Sequence, residues 1–346
     1  MSPTASVNTR KWEDLLPRQG CKSAIAPCMY DRGIVGCAHF TPMHFRRLLR
    51  QIINSIRAEQ KQSTWEAASR NNSFLEVSTS QGKYRITTAD KVISQSLYFN
   101  GSFELNFMQN TVALLREIGR CSAKGTGTIL DVGGNIGITS IGMLHTGEFA
   151  RAVAIEPEPN NFALLQYNVA LNSFEQQILC LPFAAADQAG EVLFELSTSN
   201  FGDHRVKVAS VNVHQLGFSE LYQESNRKVT HVPAKTLDSM ISELPQNWIE
   251  DLSLIWMDIQ GYEGYAFQGA SVLLSRNLPA VIEVWPYGLL RAGTKLEEFC
   301  AFVSENWSNF WVWRRSKFVN YPIQYFPLFL SELGCDTDHD NVILCP

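Results

Sequence analysis

The sequence predicts an α/β domain that is built on a mostly parallel sheet. Three features support this: an apolar strand enters a glycine-rich turn at residues 128–137, a second apolar strand covers residues 152–156, and strands alternate with helical patterns as far as residue 284. Such alternation is typical of parallel βαβ units. We therefore expect the main domain over residues 96–346, after an N-terminal extension over residues 1–95.

The extension is predicted to have three parts. Residues 1–40 show no sustained periodicity and indicate an irregular arm. From residue 42 to about residue 60, apolar residues recur at three- and four-residue spacing, which predicts an amphipathic helix docked on a core. Two short strands at residues 74–77 and 84–86, joined through a Ser-Gln-Gly-Lys turn, predict a hairpin.

The main domain continues after its first two strands with a helix at residues 160–171 and a third strand at residues 178–186. A β-rich excursion follows, with strand patterns at residues 192–194, 206–213 and 229–232. A short helix from Leu237, a strand at 252–257, a helix at 263–274 and a strand at 280–284 restore the βα alternation. The segments at residues 310–313 and 341–344 predict a closing hairpin.

Composition excludes several classes of function. The net charge of -5 and the pI near 5.8 argue against nucleic acid as the main partner, because a surface that follows phosphates needs a basic excess. None of the eight cysteines stands in a C-x-x-C spacing, so no metal site is predicted. We expect reduced thiols in a cytoplasmic protein. No apolar run approaches the ~18 residues that would span a bilayer.

The glycine-rich turn predicts a nucleotide-cofactor pocket. Glycine lets the backbone approach a ligand closely, and the helix that follows directs its first N–H groups toward the same space. The G-x-G-x-x-G pattern of dinucleotide enzymes does not fit either register of Gly133, Gly134 and Gly137. Asp131 precedes the turn, and a carboxylate there suits a cofactor with a cationic end and no phosphate, such as S-adenosylmethionine. Asn135 suits either this pocket or a helix cap.

A second carboxylate, Glu156, ends the second strand about 20 residues beyond the turn. Its two oxygens can accept hydrogen bonds from both hydroxyls of a ribose, as an acidic residue at this distance does in dinucleotide enzymes. Glu156 therefore supports an adenosine-type cofactor of either kind. The alternative is an ordinary carboxylate at a boundary between strand and loop.

Three motifs in order now indicate a family. They are DVGGNIG at residues 131–137, EPEPNNFALLQYNVALN at residues 156–172 and MDIQGYE at residues 257–263. Over about residues 98–290 the chain resembles the FkbM-type family of S-adenosylmethionine-dependent methyltransferases. The resemblance implies a class I methyltransferase (Rossmann-like) fold, with seven mostly parallel strands, helices on both faces and an antiparallel last strand. It also implies methyl transfer to the hydroxyl of a small molecule or saccharide.

The chain departs from the family pattern at two positions. Gln260 stands where family members usually have glutamate, and Trp256 stands where they often have lysine. Gln260 keeps the shape of a glutamate and loses its charge. If the family glutamate serves as a base or a metal ligand, activity is altered here; if it only binds the cofactor through a hydrogen bond, little changes.

The resemblance adds two candidates for cofactor binding. It places Glu104 beside the cofactor, although this residue otherwise reads as a surface carboxylate ahead of a helix. Asp187 follows the third strand, where class I methyltransferases place a polar residue on the adenine amine. It equally suits a turn before Gly190.

Methyl transfer to an oxygen requires a positioned acceptor and benefits from a base. The candidates are Asp258 at the end of the fourth strand, Glu283 at the end of the fifth strand, and His204 in a loop. We therefore expect an S-adenosylmethionine-dependent O-methyltransferase. The alternatives are a non-catalytic cofactor-binding protein, prompted by Gln260, and an NAD-dependent oxidoreductase, which the missing glycine fingerprint disfavours.

Overall fold

The computed structural model describes residues 42–71, 74–208, 226–334 and 338–346 of the chain. The chain divides into two compact units, residues 1–56 and residues 57–346. The irregular arm predicted for residues 1–40 lies outside the described residues. The predicted amphipathic helix is α1 (Pro42–Ser69), which is longer than its apolar pattern, and Ile53 and Ile56 of that pattern are exposed.

After α1, further strands and helices follow in chain order up to residue 235. They are β1 (Phe74–Thr79), β2 (Gly82–Thr87), α2 (Ile93–Asn100), α3 (Leu105–Glu117), β3 (Thr128–Val132), α4 (Ile138–His145), β4 (Arg151–Ile155), α5 (Pro159–Leu171), β5 (Ile178–Leu181), β6 (Ala184–Ala185), β7 (Gly190–Leu196), β8 (Arg205–Lys207) and β9 (Lys228–Lys235).

The elements that complete the chain follow. They are α6 (Leu237–Ser242), α7 (Gln246–Glu250), β10 (Leu252–Met257), α8 (Glu263–Gln268), α9 (Ser271–Leu274), β11 (Ala280–Val284), α10 (Pro286–Arg291), α11 (Leu296–Asn306), β12 (Asn309–Arg314), β13 (Lys317–Pro322), α12 (Phe326–Leu333) and β14 (Asp340–Cys345). None of these described helices, nor α1, has the length and apolarity of a membrane span.

The main sheet of the described residues has the order β13-β12-β14-β11-β10-β3-β4-β5. The strands from β11 to β5 are parallel, and β14 is antiparallel to both of its neighbours. The predicted α/β class and the antiparallel last strand are therefore confirmed, whereas the sheet is mixed: five strands are parallel, and three more are joined by antiparallel pairing. The expected number of seven strands is wrong, because β13 folds back on β12 as an eighth, edge strand.

Alternation along the central strands builds a core on each face of the sheet. Leu130 and Ile255 pack into one buried cluster, whereas their neighbours Ile129 and Leu254 pack into another. Both faces are thus covered, which explains why β3 and β10 are buried throughout. The hairpin of β1 and β2 packs on the same second cluster through Tyr84 and Ile86.

Two predicted elements are divided by identifiable residues. The strand expected over residues 178–186 splits into β5 and β6 around Pro182, which cannot donate a ladder hydrogen bond. The helix expected over residues 263–274 splits into α8 and α9 at Gly269, where a Cβ would stand 2.2 Å from the carbonyl oxygen of Ala186. The helix predicted over residues 160–171 is α5, whose first turn is capped by the side chain of Glu158.

The β-rich excursion forms a separate sheet with the order β6-β9-β7-β8. Its strands β7 and β9 contain the predicted segments at residues 192–194 and 229–232. β8 begins the segment predicted at residues 206–213, the rest of which lies mostly outside the described residues. The loop between β7 and β8 carries His204 and lies against the carboxyl end of the main sheet.

Candidate active site

A cavity opens where the central parallel strands β3, β4 and β10 end. The empty space within it, including the part that is open to solvent, is about 890 Å³. The polar and charged side chains among its lining residues are Glu104, Asp131, Asn135, Thr139, Glu156, Asn161, His204, Asp258 and Tyr262. Six of the candidates predicted from sequence as side-chain ligands or bases are therefore brought together here. Among the described lining residues there is no lysine or arginine.

The glycine turn serves the protein's own packing. Gly133 has a φ of +93°, and a Cβ there would stand 2.0 Å from the carbonyl oxygen of Asp258. Gly137 has a φ of +96°, and its Cβ would stand 2.6 Å from a methyl group of Ile141. The Cβ positions of both glycines are therefore occupied by the protein's own atoms: glycine at residue 133 lets β3 and β10 end side by side, and glycine at residue 137 leaves room for Ile141 of α4.

The N–H groups of the turn are also used internally. Those of Gly133 and Gly134 donate to the carbonyl oxygen of Ile155 at 2.9 and 2.8 Å. That of Asn135 donates to Oε2 of Glu156 at 2.9 Å. These three groups are therefore bonded within the protein.

Asp131 is buried at the end of β3 and lines the cavity. Its Oδ2 accepts from the backbone N–H of Ser140 at 3.0 Å and from the Ser140 hydroxyl, so the carboxylate anchors the first turn of α4. Burial raises the pKa of Asp131 to about 6, although the Ser140 hydrogen bonds favour the ionised form and Asp258 opposes it.

Glu156 follows β4 and is also buried against the cavity. Besides the bond from Asn135, its Oε1 accepts from the backbone N–H of Glu158 at 2.8 Å. A carboxylate oxygen has two lone pairs, so each oxygen can accept one more hydrogen bond from a ligand. Burial raises the pKa of Glu156 to about 8, which makes its charge sensitive to any donor that enters the cavity.

Asn135 does not cap α4, whose N-cap residue is Gly137. Its side-chain amide donates instead to the carbonyl oxygen of Phe201 at 2.9 Å, and the amide of Asn161 donates to the same oxygen at 3.1 Å. Both asparagines thus hold the β7–β8 loop over the cavity. Asn161 was not predicted from sequence because its position within a regular helix gives no signal. Its Oδ1 is buried without a hydrogen-bond partner.

The two remaining cofactor candidates, Glu104 and Asp187, lie in different places. Glu104, in a left-handed conformation with a φ of 54°, lines the cavity and is exposed to the space within it. The surrounding protein raises its pKa to about 7, and Asp258 adds to the shift. Asp187 is exposed and is not among the residues that line the cavity. The structure thus places it at the turn before β7, and not at the cavity wall.

Next to Asp258, a glutamine side chain joins two carboxylates. The Nε2 of Gln260 donates to Oδ1 of Asp258 at 2.7 Å and to Oε2 of Glu283 at 2.8 Å. Asp258 lines the cavity, whereas Glu283 does not. Burial raises the pKa of Asp258, and burial followed by the proximity of Asp258 raises the pKa of Glu283 well above its usual range.

His204 lines the cavity from the β7–β8 loop, packed between the rings of Phe194 and Phe201. Burial lowers its pKa and so favours the neutral imidazole. Its Nδ1 accepts from the backbone N–H of Ser197 at 3.0 Å, which leaves the proton of the neutral ring on Nε2. In this form His204 can donate a hydrogen bond through Nε2, and neither nitrogen is free to remove a proton.

Residues 131–302 match the family described as the methyltransferase FkbM domain. This segment belongs to the FkbM methyltransferase family. The strands and cavity-lining turns described above, from Asp131 to Glu283, lie within it. The match identifies residues 131–302 as a methyltransferase-type domain. No curated protein matches the chain.

Several solved structures are similar to the chain. A methyltransferase FkbM from Methylobacillus flagellatus KT is 15% identical over 85% of this chain, with a TM-score of 0.38, and the match spans 60% of that chain. P. horikoshii TYW2 in complex with MeSAdo is 13% identical over 79% of this chain and 70% of its own, with a TM-score of 0.34. An M. jannaschii tRNA m1G37 methyltransferase is 19% identical over 32% of this chain and 29% of its own, with a TM-score of 0.24.

Both departures from the FkbM pattern lie two residues from Asp258 in the sequence. Trp256 is buried, lines the cavity and packs edge-on against Phe107. Gln260 has the contacts with Asp258 and Glu283 given above. The described residues contain no group of three or more histidine, cysteine, aspartate or glutamate side chains with the geometry of a metal site.

Proposed function

We propose that this FkbM domain binds S-adenosylmethionine and transfers its methyl group to a hydroxyl of a small-molecule or saccharide acceptor. One observation carries the proposal: a single cavity joins Asp131 and Glu156, the pair expected at the cofactor, to Asp258, the residue expected at the acceptor. The arrangement fits the general rule that ligands of open α/β sheets bind at the carboxyl ends of the strands.

The residues present fit this cofactor. Glu156 keeps acceptor capacity for two ribose hydroxyls, and the buried Oδ1 of Asn161 is an acceptor that lacks a donor. Four carboxylates line the cavity, and its described lining has no lysine or arginine. This charge suits a ligand with a sulfonium and an ammonium group. It opposes the pyrophosphate of NAD, as do the internally bonded N–H groups of the glycine turn.

When bound, S-adenosylmethionine supplies a methyl group that is activated by the positive sulfur. In the transfer, a lone pair of the acceptor oxygen would form the new O–C bond, the electrons of the broken S–C bond would stay on sulfur, and the hydroxyl proton would pass to a base of this chain. Asp258 is the residue we assign to orient that hydroxyl and take its proton, because it lines the cavity and Glu283 does not. His204 is assigned as a hydrogen-bond donor to the acceptor or cofactor.

A non-catalytic cofactor-binding protein is the second candidate, and Gln260 in place of the family glutamate is the observation that favours it. The two candidates differ in turnover alone. Cofactor binding with no methyl transfer to any hydroxylated acceptor supports the second. The acidic cavity and the net charge of -5 continue to favour a small acceptor over nucleic acid.

Two measurements test the proposal. Calorimetric titration of the full chain with S-adenosylmethionine, S-adenosylhomocysteine and NAD is expected to show one site for the first two and none for NAD. Transfer of radiolabelled methyl from S-adenosylmethionine to a panel of sugars and hydroxylated small molecules then tests catalysis. Binding of NAD in preference to both adenosyl ligands would overturn the assignment.

A further inference from the structure

The loop that carries Gln260 is fixed by its surroundings. Gln260 has a φ of 58° and Gly261 a φ of 95°, both in the left-handed region. A Cβ on Gly261 would stand 2.2 Å from the carbonyl carbon of Gly288, so the loop passes directly against α10. A left-handed conformation is unfavourable for a residue other than glycine, so surrounding structure must maintain it. The two hydrogen bonds from the Gln260 amide are part of that structure.

The chemistry of an amide suits this position in a specific way. Its Nε2 carries two hydrogens and no charge, so it satisfies one oxygen of Asp258 and one oxygen of Glu283 at the same time. A glutamate at residue 260 would have only acceptors when ionised. Three carboxyl groups in contact would then need a shared proton or a cation to coexist.

Other titratable groups face this pair from every side and make its charge state sensitive. Acidic side chains act on Asp258 or Glu283 from α8, from the segment before α3, from β3 and from the β7–β8 loop, and a histidine acts from the segment before β14. These groups are Glu263, Glu104, Asp131, Asp203 and His339. Nε2 of His339 lies 3.7 Å from Oε1 of Glu283. The acidic neighbours disfavour the ionised form of Asp258. The neutral donor between the two carboxylates acts in the opposite direction and favours that form.

We propose that Gln260 is a positioning residue for methyl transfer, whose amide holds Asp258 ionised and directed into the cavity while Glu283 supports it from behind. This inference rests on the proposed function and deepens it. It assigns different roles to the two carboxylates, since Asp258 contacts the acceptor and Glu283 acts through Gln260. It also accounts for the chain's departure from the family at this position without loss of the base.

The test uses a probe pair that needs no knowledge of the acceptor. S-adenosylmethionine carries a positive sulfur and S-adenosylhomocysteine does not, so their ratio of dissociation constants reports the charge of a nearby carboxylate. We expect the wild-type preference for S-adenosylmethionine to increase with pH as Asp258 ionises. Calorimetry over a series of pH values gives the midpoint of the change.

Two substitutions should move that midpoint in opposite directions. Gln260→Glu removes a donor from Asp258 and adds an anion beside it, so the midpoint should rise by about one pH unit or more. Glu283→Gln keeps the Gln260 donor and removes a carboxyl group whose ionisation competes with that of Asp258, so the midpoint should fall. Gln176→Glu is the matched control, because Gln176 is exposed just before β5 at the opposite end of the strands, and it should leave the midpoint in place.

Each outcome is decisive. A structural disturbance would not shift the two midpoints in opposite directions while affinity for S-adenosylhomocysteine stays unchanged. Midpoints that stay in place or move together, or a wild-type preference that does not depend on pH, would overturn the role of Gln260. Failure of the wild type to bind either probe would instead refute the proposed function itself.

Discussion

The two ends of the cavity are built by different means. At the cofactor end, Asp131 and Glu156 are held by backbone N–H groups that lie within about 21 residues of them in the chain. At the acceptor end, Asp258 and Glu283 are held by the side chain of Gln260, and the facing residues come from β11, from the β7–β8 loop and from the segment before β14. The hydrogen bonds span similar distances in the chain, 2 to 21 residues at one end and 2 to 23 at the other, so the ends differ in the kind of donor: a backbone N–H at one and a side-chain amide at the other.

This difference has a consequence for how each end can change. A backbone donor is present whatever the side chain is, so the cofactor end tolerates variation in its neighbours as long as the turn keeps its shape. A side-chain donor is lost or altered by one substitution. The acceptor end is therefore where this chain departs from its family, at Gln260 and Trp256.

The largest effect is expected where the two ends touch. Gly133→Ala would place a Cβ 2.0 Å from the carbonyl oxygen of Asp258 at a φ of +93°, which neither strand end can accommodate without moving. We expect a loss of about 3 kcal/mol or more in the free energy of unfolding, measured by denaturant titration.

Gly134→Ala is the matched control for this substitution. Its Cβ would meet the side chain of Ala154 at 3.3 Å, and its φ is not in the left-handed region. We expect a change of about 1 kcal/mol or less. Equal losses in the two variants would contradict the view that β3 and β10 are joined at Gly133.

The next effect is on chemistry at the acceptor end. Asp258→Asn keeps the shape of the side chain and removes the base, so turnover should fall by about 10²-fold or more. The dissociation constant of S-adenosylmethionine should change much less. Steady-state kinetics with an acceptor from the methyl-transfer panel, combined with calorimetry, separates the two quantities. Near-normal turnover would remove Asp258 as the base and leave Glu283 to be tested.

The same contrast explains what the sequence could predict. Asp131, Glu156 and the first two βαβ units follow from contiguous motifs, and the structure brings both residues to the cavity. The bridge from Gln260 to Glu283 spans 23 residues and depends on β10 and β11 ending side by side, which no local pattern encodes. The buried acceptor of Asn161 is hidden for a similar reason, since a helical residue reveals its partner only once the fold is known. The sequence marks Gly133 as a position of backbone freedom. The group that excludes a Cβ there is the carbonyl of Asp258, which lies 125 residues further along the chain.

A smaller effect is expected at the cofactor end. Glu156→Ala removes the acceptors assigned to the ribose hydroxyls, and hydrogen bonds to a charged group are worth about 1.5 to 3 kcal/mol. Affinity for both adenosyl ligands should therefore fall by about 10- to 150-fold, while thermal unfolding confirms that the chain stays folded. An unchanged dissociation constant would place the ribose elsewhere in the cavity.

The smallest effect is a pH dependence of cofactor affinity. Because the pKa of Glu156 is raised to about 8 in the free protein, donors from a ligand must draw it toward the ionised form. Binding should release a proton, and affinity should increase by about fivefold between pH 7 and pH 8. Glu156→Gln should remove this increment, whereas the titration of the ligand's own amino group occurs in both proteins and cancels. An identical pH dependence in both proteins would show that Glu156 does not change its charge on binding.

A crystal structure of the full chain with S-adenosylhomocysteine tests the central claim most directly. The account predicts that the ribose hydroxyls lie within hydrogen-bonding distance of the Glu156 carboxylate and that the sulfur faces the part of the cavity lined by Asp258. A ribose bound away from Glu156, or a sulfur directed away from Asp258, would contradict it.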